Sequence, residues 1–186
     1  MAYSTVLRGE RFRFADLRAV LARANEPKSG DGLAGLAAGS LRERIAAKLV
    51  LADVRLDELV AAPVVDDGLS ALLAGDHDAT AFAPIASWTV GELREALLDP
   101  ARRPALAATP RAFTAEIAAA VTKVMGNKDL VVAASGLRTV TRCRNTMGGP
   151  GVFGVRIQPN HPADDLAGVL LAVLDGLVLG CGDEIG

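Results

Sequence analysis

From Phe153 the chain reads FGVRIQPN, then HPADDLAGVLLAVLDGLVLG, then GDEIG. This succession of strand, helix and incipient strand constrains the fold more than any other feature. Strands joined through a helix run parallel, because the crossover returns the chain to the same end of the sheet. The spacing predicts a strand over 152–160, closed by Pro159, which has no N–H for a ladder. Successive strand side chains alternate, so Arg156 and Gln158 share one face while Val155 and Ile157 share the other. The helix that follows carries Asp164 and Asp165 in its first turn, where the helix dipole favours negative charge. The run is therefore one βα unit and the start of a second strand, as in a parallel sheet or a β/α barrel.

The rest of the chain reads as short helices. In ADLRAVLARAN, Leu17, Val20, Leu21 and Ala24 recur at the i, i+3, i+4, i+7 spacing of one helical face. Ser40 with Glu43, and Thr89 with Glu92, have capping-box spacing. Pro100 follows the second of these helices as a stop signal, and the three prolines within 99–110 mark that stretch as a linker. Thr109 and Pro110 are expected as N-cap and first residue of a helix running to Gly126. NKDLVVAASGL is expected as a helix, with Asn127 as its cap. Hydrophobic residues are 51% of the chain and aromatics only 4%, so the core must be mostly Ala, Val and Leu, which suits closely packed helices. The expected organisation is a helical region over 1–108, and a helical entry with the first βα unit over 109–186.

A formal net charge of −2 supplies no basic field for nucleic acid or anionic lipid. The apolar stretches near the C-terminus are interrupted by Asp175 and fall short of a membrane span, and the first residues lack the apolar core of a signal peptide. Cys143 and Cys181 have no metal-ligand spacing and read as thiols of a reduced cytoplasm.

GDGLAG at 30–35 matches G-x-G-x-x-G literally, but that fingerprint requires a strand before it, and LARANEPKSG is helical and charged. A helix-to-helix turn is the better reading. GGPG at 148–151 precedes its strand and reads as a tight turn. His77, flanked by acids in GDHDAT, reads as a solvated loop residue rather than a ligand. His161 opens a helix and reads as a cap or an exposed side chain. The chemistry candidates are then Arg156 and Gln158. On a lone strand edge they would face solvent; in a β/α barrel they would occupy, with Asn160, the strand's C-terminal end, where such folds keep their functional residues.

Longer strings add to this. VLARANEPKSGDGLAGLAAGSLRERIAAKLVLAD resembles the N-terminal region of the ethanolamine ammonia-lyase large subunit family, with its ANE-x-x-SGD-x-LAG-x-AA and ER-x-AAK-x-VL signatures. WTVGELRE (88–95) is similar to that family's WSISELRE, and NTMGGPGVFGVRIQPNHPADD to its N-T-T-I-G-I-P-G-T-F-S-A-R-L-Q-P-N segment. The similarity runs in order from Val6 to Asp183.

The resemblance implies part of the catalytic subunit of an adenosylcobalamin-dependent lyase that converts ethanolamine to acetaldehyde and ammonia by a radical route. It implies a mainly α N-terminal region leading into a (β/α)8 TIM-type barrel. It also implies self-association of large subunits, a small-subunit partner with cobalamin at their interface, and a location in the cytoplasm or an ethanolamine-utilisation microcompartment. Arg156 and Gln158 fall on the family's substrate-lining R-x-Q-P-N, and most of the cofactor surface is expected beyond residue 186. A barrel needs about 250 residues, so it is incomplete here, and the chain by itself is expected to be inactive. Glu184 stands where the family has small or apolar residues, which suggests a divergent tail. The alternative is a catalytically dead remnant that serves as a helical assembly or binding module.

Overall fold

The N-terminus departs from the helical expectation. In the computed structural model, which describes residues 3–62, 67–137, 140–142, 146–149, 151–181 and 184–185, the chain opens with a β-hairpin. Strands β1 (Tyr3–Leu7) and β2 (Glu10–Phe14) pair antiparallel, from Tyr3 opposite Phe14 to Leu7 opposite Glu10. Arg8 and Gly9 form the two-residue turn, both at positive φ (51° and 84°), as tight hairpin turns matching the strand twist require. The period-two signal is present in ERFRF: Phe14 enters the core, Phe12 packs against it, and Arg11 and Arg13 face solvent.

Helix α1 (Leu17–Ala24) is capped by Asp16, whose carboxylate accepts the Ala19 N–H at 2.7 Å, and it buries the four expected residues. Helix α2 (Leu41–Ala52) buries Ala46, Ala47, Val50 and Leu51. Ser40 caps it by accepting the Glu43 N–H at 3.1 Å, but the Glu43 carboxylate takes the N–H of Gly39, at 2.6 Å, as its partner. Then follow α3 (Leu56–Ala61), α4 (Gly68–Asp76), α5 (Ala79–Phe82) and α6 (Val90–Leu98). At the start of α6 the capping box is complete: Thr89 Oγ1 accepts from Glu92 N at 3.1 Å, and Glu92 accepts from Thr89 N at 2.7 Å. Small residues set the helix spacing. A Cβ on Gly91 would stand 3.1 Å from the Ala52 carbonyl oxygen, so α6 lies close against the end of α2.

The expected linker over 99–110 contains helix α7 (Arg103–Ala107), and Pro110–Ala112 is a 3₁₀ turn rather than a helix start. Thr109 turns its hydroxyl back to the Leu106 carbonyl at 3.3 Å, so Thr114 caps α8 (Ala115–Lys123) in its place, accepting the Ile117 N–H at 3.3 Å. Helix α9 (Asn127–Gly136) forms as expected, with Gly126 rather than Asn127 at its N-cap. The described core lies within one compact unit, Met1–Leu137.

The second unit, Arg138–Gly186, begins with a short antiparallel pair, β3 (Thr141–Arg142) with β4 (Thr146–Met147). Strand β5 (Arg156–Ile157), helix α10 (Leu166–Val178) and strand β6 (Glu184–Ile185) make a β-α-β unit whose strands are parallel. Of the strand expected over 152–160, Arg156–Ile157 form a ladder among the described residues. Helix α10 buries none of its described residues, and Leu166, Val178 and Leu179 are more than four-fifths exposed. No helix among the described residues is long and apolar enough to cross a membrane.

Candidate functional site

Arg156 opens β5 and Gln158 follows its last residue. Both are exposed, and Ile157 between them is half-buried. Strand alternation sets the polar pair on the face opposite Ile157. What fixes that division is α10. A Cβ on Gly176 would stand 2.6 Å from Ile157 Cδ1, so only glycine lets the helix lie this near the strand's apolar side. Gly168, in the same helical stripe, likewise leaves room for the His161 ring. His161 Nδ1 accepts the N–H groups of Ala163 (3.3 Å) and Asp165 (3.4 Å), and Asp165 accepts from Gly168 N at 2.8 Å. His161 is thus a capping residue that holds the entry to α10. Strand pairing sets Arg156 opposite Glu184 and Ile157 opposite Ile185 in the backbone register.

The arrangement offers a guanidinium, which only donates, and an amide, which donates and accepts, two residues apart at a strand end. Such a pair suits a small molecule bearing hydroxyl or amino groups. Among the described residues no group of three His, Cys, Asp or Glu side chains is disposed to hold a metal ion.

The other motifs take structural places. GDGLAG lies in the connection between α1 and α2 and follows a helix. That connection is pinned by Arg23, which donates to the carbonyls of Gly35 (2.7 Å) and Ala37 and lies 3.6 Å from the Glu43 carboxylate. Arg23 is invisible to motif reasoning because its partners are backbone oxygens. His77 is not a solvated loop residue: it ends α4 half-buried, with Nε2 3.2 Å from the Ala112 carbonyl oxygen and its ring edge-on to Phe82 at 5.0 Å. The cleft beside it, about 430 Å³, is lined by Arg111, Asp76 and Glu116, of which Arg111 and Asp76 pair at 3.2 Å. Cys143 lies outside the described residues, and Cys181 donates its backbone N–H to Gly176 at 2.9 Å.

The described residues thus form a mainly helical unit and a parallel β-α-β unit with a polar pair on its leading strand. The family model described as "Ethanolamine ammonia lyase large subunit (EutB)" matches residues 12–186. The ethanolamine ammonia-lyase large subunit of Escherichia coli (strain K12) is 38% identical over 189 residues, covering all of this chain and 42% of that protein. The corresponding Salmonella typhimurium protein is 37% identical over the same span. The chain belongs to the ethanolamine ammonia-lyase large-subunit family, and it spans less than half the length of these relatives.

Proposed function

We propose that this chain supplies the N-terminal portion of the catalytic subunit of an adenosylcobalamin-dependent ethanolamine ammonia-lyase, and that β5, α10 and β6 begin its (β/α)8 barrel. The observation that carries this reading is the Arg156–Gln158 pair, turned away from α10 on the leading strand of a parallel unit, within a stretch matched by the family. Gln158 accepts from and donates to the ethanolamine amino and hydroxyl groups. Arg156 repels the substrate ammonium, so its role is to stabilise an oxygen that gains negative character while the amine migrates. Carboxylates from further strands would offset its charge. Adenosylcobalamin supplies the radical chemistry in this family. The clefts of about 430 Å³ in the helical unit are of small-molecule size, and the strand end alone does not fit a corrin.

The helical region over 1–108 and the barrel entry over 109–186 are then parts of one large subunit. It associates with itself and with a small subunit, in the cytoplasm or a microcompartment. The exposed leucines of α10 favour burial against further chain. They also suit the second reading, a remnant without activity that serves in assembly, because the helical unit carries its own core.

A chimera separates the two readings. This chain replaces the matching N-terminal 42% of the E. coli large subunit, assembled with its small subunit and cofactor. The lyase reading expects acetaldehyde release, and a loss on the order of a hundredfold in kcat/KM for Arg156→Ala or Gln158→Ala. Turnover of Arg156→Ala equal to the parent would overturn the residue assignment. An assembled but inactive parent chimera would favour the remnant.

A further inference from the structure

The hairpin of β1 and β2 has two unlike edges. In a two-residue hairpin the pair that closes the turn exchanges both of its backbone hydrogen bonds, and every second pair does likewise. Here those pairs are Leu7–Glu10, Thr5–Phe12 and Tyr3–Phe14. The N–H and C=O groups of Ser4 and Val6 therefore point away from β2, and no backbone hydrogen bond among the described residues takes them up. The corresponding groups of Arg11 and Arg13 form the other edge.

Only one of these edges carries the charges by which native sheets keep other strands away. Strand β2 reads ERFRF, with Glu10, Arg11 and Arg13 exposed, whereas β1 reads YSTVL, with no carboxylate, lysine or arginine. Val6 is more than half exposed. Helix α2 packs against β1 and leaves an apolar stripe, Leu41, Ile45 and Leu49, exposed at helical spacing.

We propose that β1 is the docking edge for a second copy of this chain. Two β1 strands pair antiparallel about Thr5, so that Ser4 of each copy exchanges both hydrogen bonds with Val6 of the other. That register uses the outward groups of Ser4 and Val6 and leaves the hairpin's own bonds intact. The two hairpins become one four-stranded sheet, in the order β2-β1-β1-β2, with the charged strands as its outer edges. Pairing through β2 about Phe12 would set Arg11 opposite Arg13, a like-charge clash. Pairing β1 with β2 of the next copy would leave an edge open at each end and never close. The edge lies in the helical unit. It gives the self-association proposed above a place on this chain, and it stands whether or not the chain serves a lyase.

The test is sedimentation of the full chain over a concentration series, with a dimer of the 19.2 kDa chain expected. Val6→Lys puts a charge on the edge, and Val6→Pro removes an edge donor. Each should weaken dimerisation about tenfold or more while the helical circular dichroism is kept. Leu171→Lys, on exposed α10, should leave the dimer unchanged. In a Cys143→Ser, Cys181→Ser background, Thr5→Cys should form a disulfide between copies, because this kind of antiparallel pair brings Cα atoms to about 4.5 Å. A chain that is monomeric at about 100 µM, or a dimer unaffected in both Val6 variants, would overturn the proposal. So would a dimer abolished by Leu171→Lys, or a Thr5→Cys chain that does not cross-link. Oligomer mass is read apart from acetaldehyde release, so failure here and failure of the lyase reading are distinguishable.

Discussion

Arg94 on α6 and Asp129 on α9 meet at 2.6 Å, and the same carboxylate oxygen accepts the Gly126 N–H at 3.2 Å. One acid therefore closes the N-terminus of α9 and ties that helix to α6. The Arg94 guanidinium, and secondarily the Gly126 N–H, hold the Asp129 carboxyl below its ordinary value near 3.8. A carboxyl depressed on folding stabilises the fold above its unfolded value, and that contribution is lost as pH falls through the depressed one. The urea midpoint of the parent chain should drop on acidification below about pH 4. Asp129→Asn should be less stable than the parent at pH 7 and lose less on acidification. Equal pH slopes in urea titrations of the two proteins would refute the coupling.

Tyr3 on β1 donates its hydroxyl to the Glu58 carboxylate on α3, which links the hairpin to the helices. That hydrogen bond first, and burial second, push the Tyr3 pKa from 10.0 up to about 12. A raised pKa stabilises the protonated form, so this contribution is complete below pH 10.0 and lost as pH rises towards about 12. Stability measured by circular dichroism should fall across that window in the parent. Tyr3→Phe, less stable at neutral pH, should show a shallower fall.

Leu51 is fully buried in α2, whereas Leu171 of α10 is 60% exposed. Leu51→Ala should destabilise the helical unit by about 3 kcal/mol, through lost transfer energy and the cavity left behind. Leu171→Ala in this chain should stay within about 0.5 kcal/mol. Denaturant titration followed by Trp88 fluorescence reads the first, and a comparable loss from Leu171→Ala would show that α10 is packed.

Arg23 reaches the Gly35 and Ala37 carbonyls from α1 and so closes the 26–39 connection over itself. Arg23→Met removes these charge-assisted bonds. Tryptic cleavage after Lys28 should then accelerate about tenfold, with the global unfolding midpoint little changed. An unchanged cleavage rate would assign closure to the Asp31 turn, where the Asp31 carbonyl accepts from Leu36 N at 2.9 Å and Ala37 N at 3.1 Å.

Much of this protein was legible one residue at a time. The buried face of α1, the Thr89–Glu92 box and the parallel order of β5, α10 and β6 depend on spacing along the chain, which a helix or a strand converts directly into position. The large-subunit kinship is carried by strings, which are linear too. The candidate pair, Arg156 and Gln158, was read from strand alternation alone. Its separation from α10 was not, because that rests on where Gly176 and Gly168 stand against Ile157 and His161.

Other features depended on neighbours distant in sequence. The ERFRF alternation became a hairpin through Arg8 and Gly9, and a face of it was claimed by the helical core. Thr109 gave up its capping place because the Leu106 carbonyl lay within reach, and His77 left solvent because Ala112 and Phe82 were beside it. The sequence by itself determined α1, the Thr89–Glu92 cap, the β-α-β order and the family, since each is a local or linear pattern. Tertiary structure decided which polar groups found partners, as Arg94, Arg23 and Tyr3 did, because such pairing is set by distances that only packing brings about.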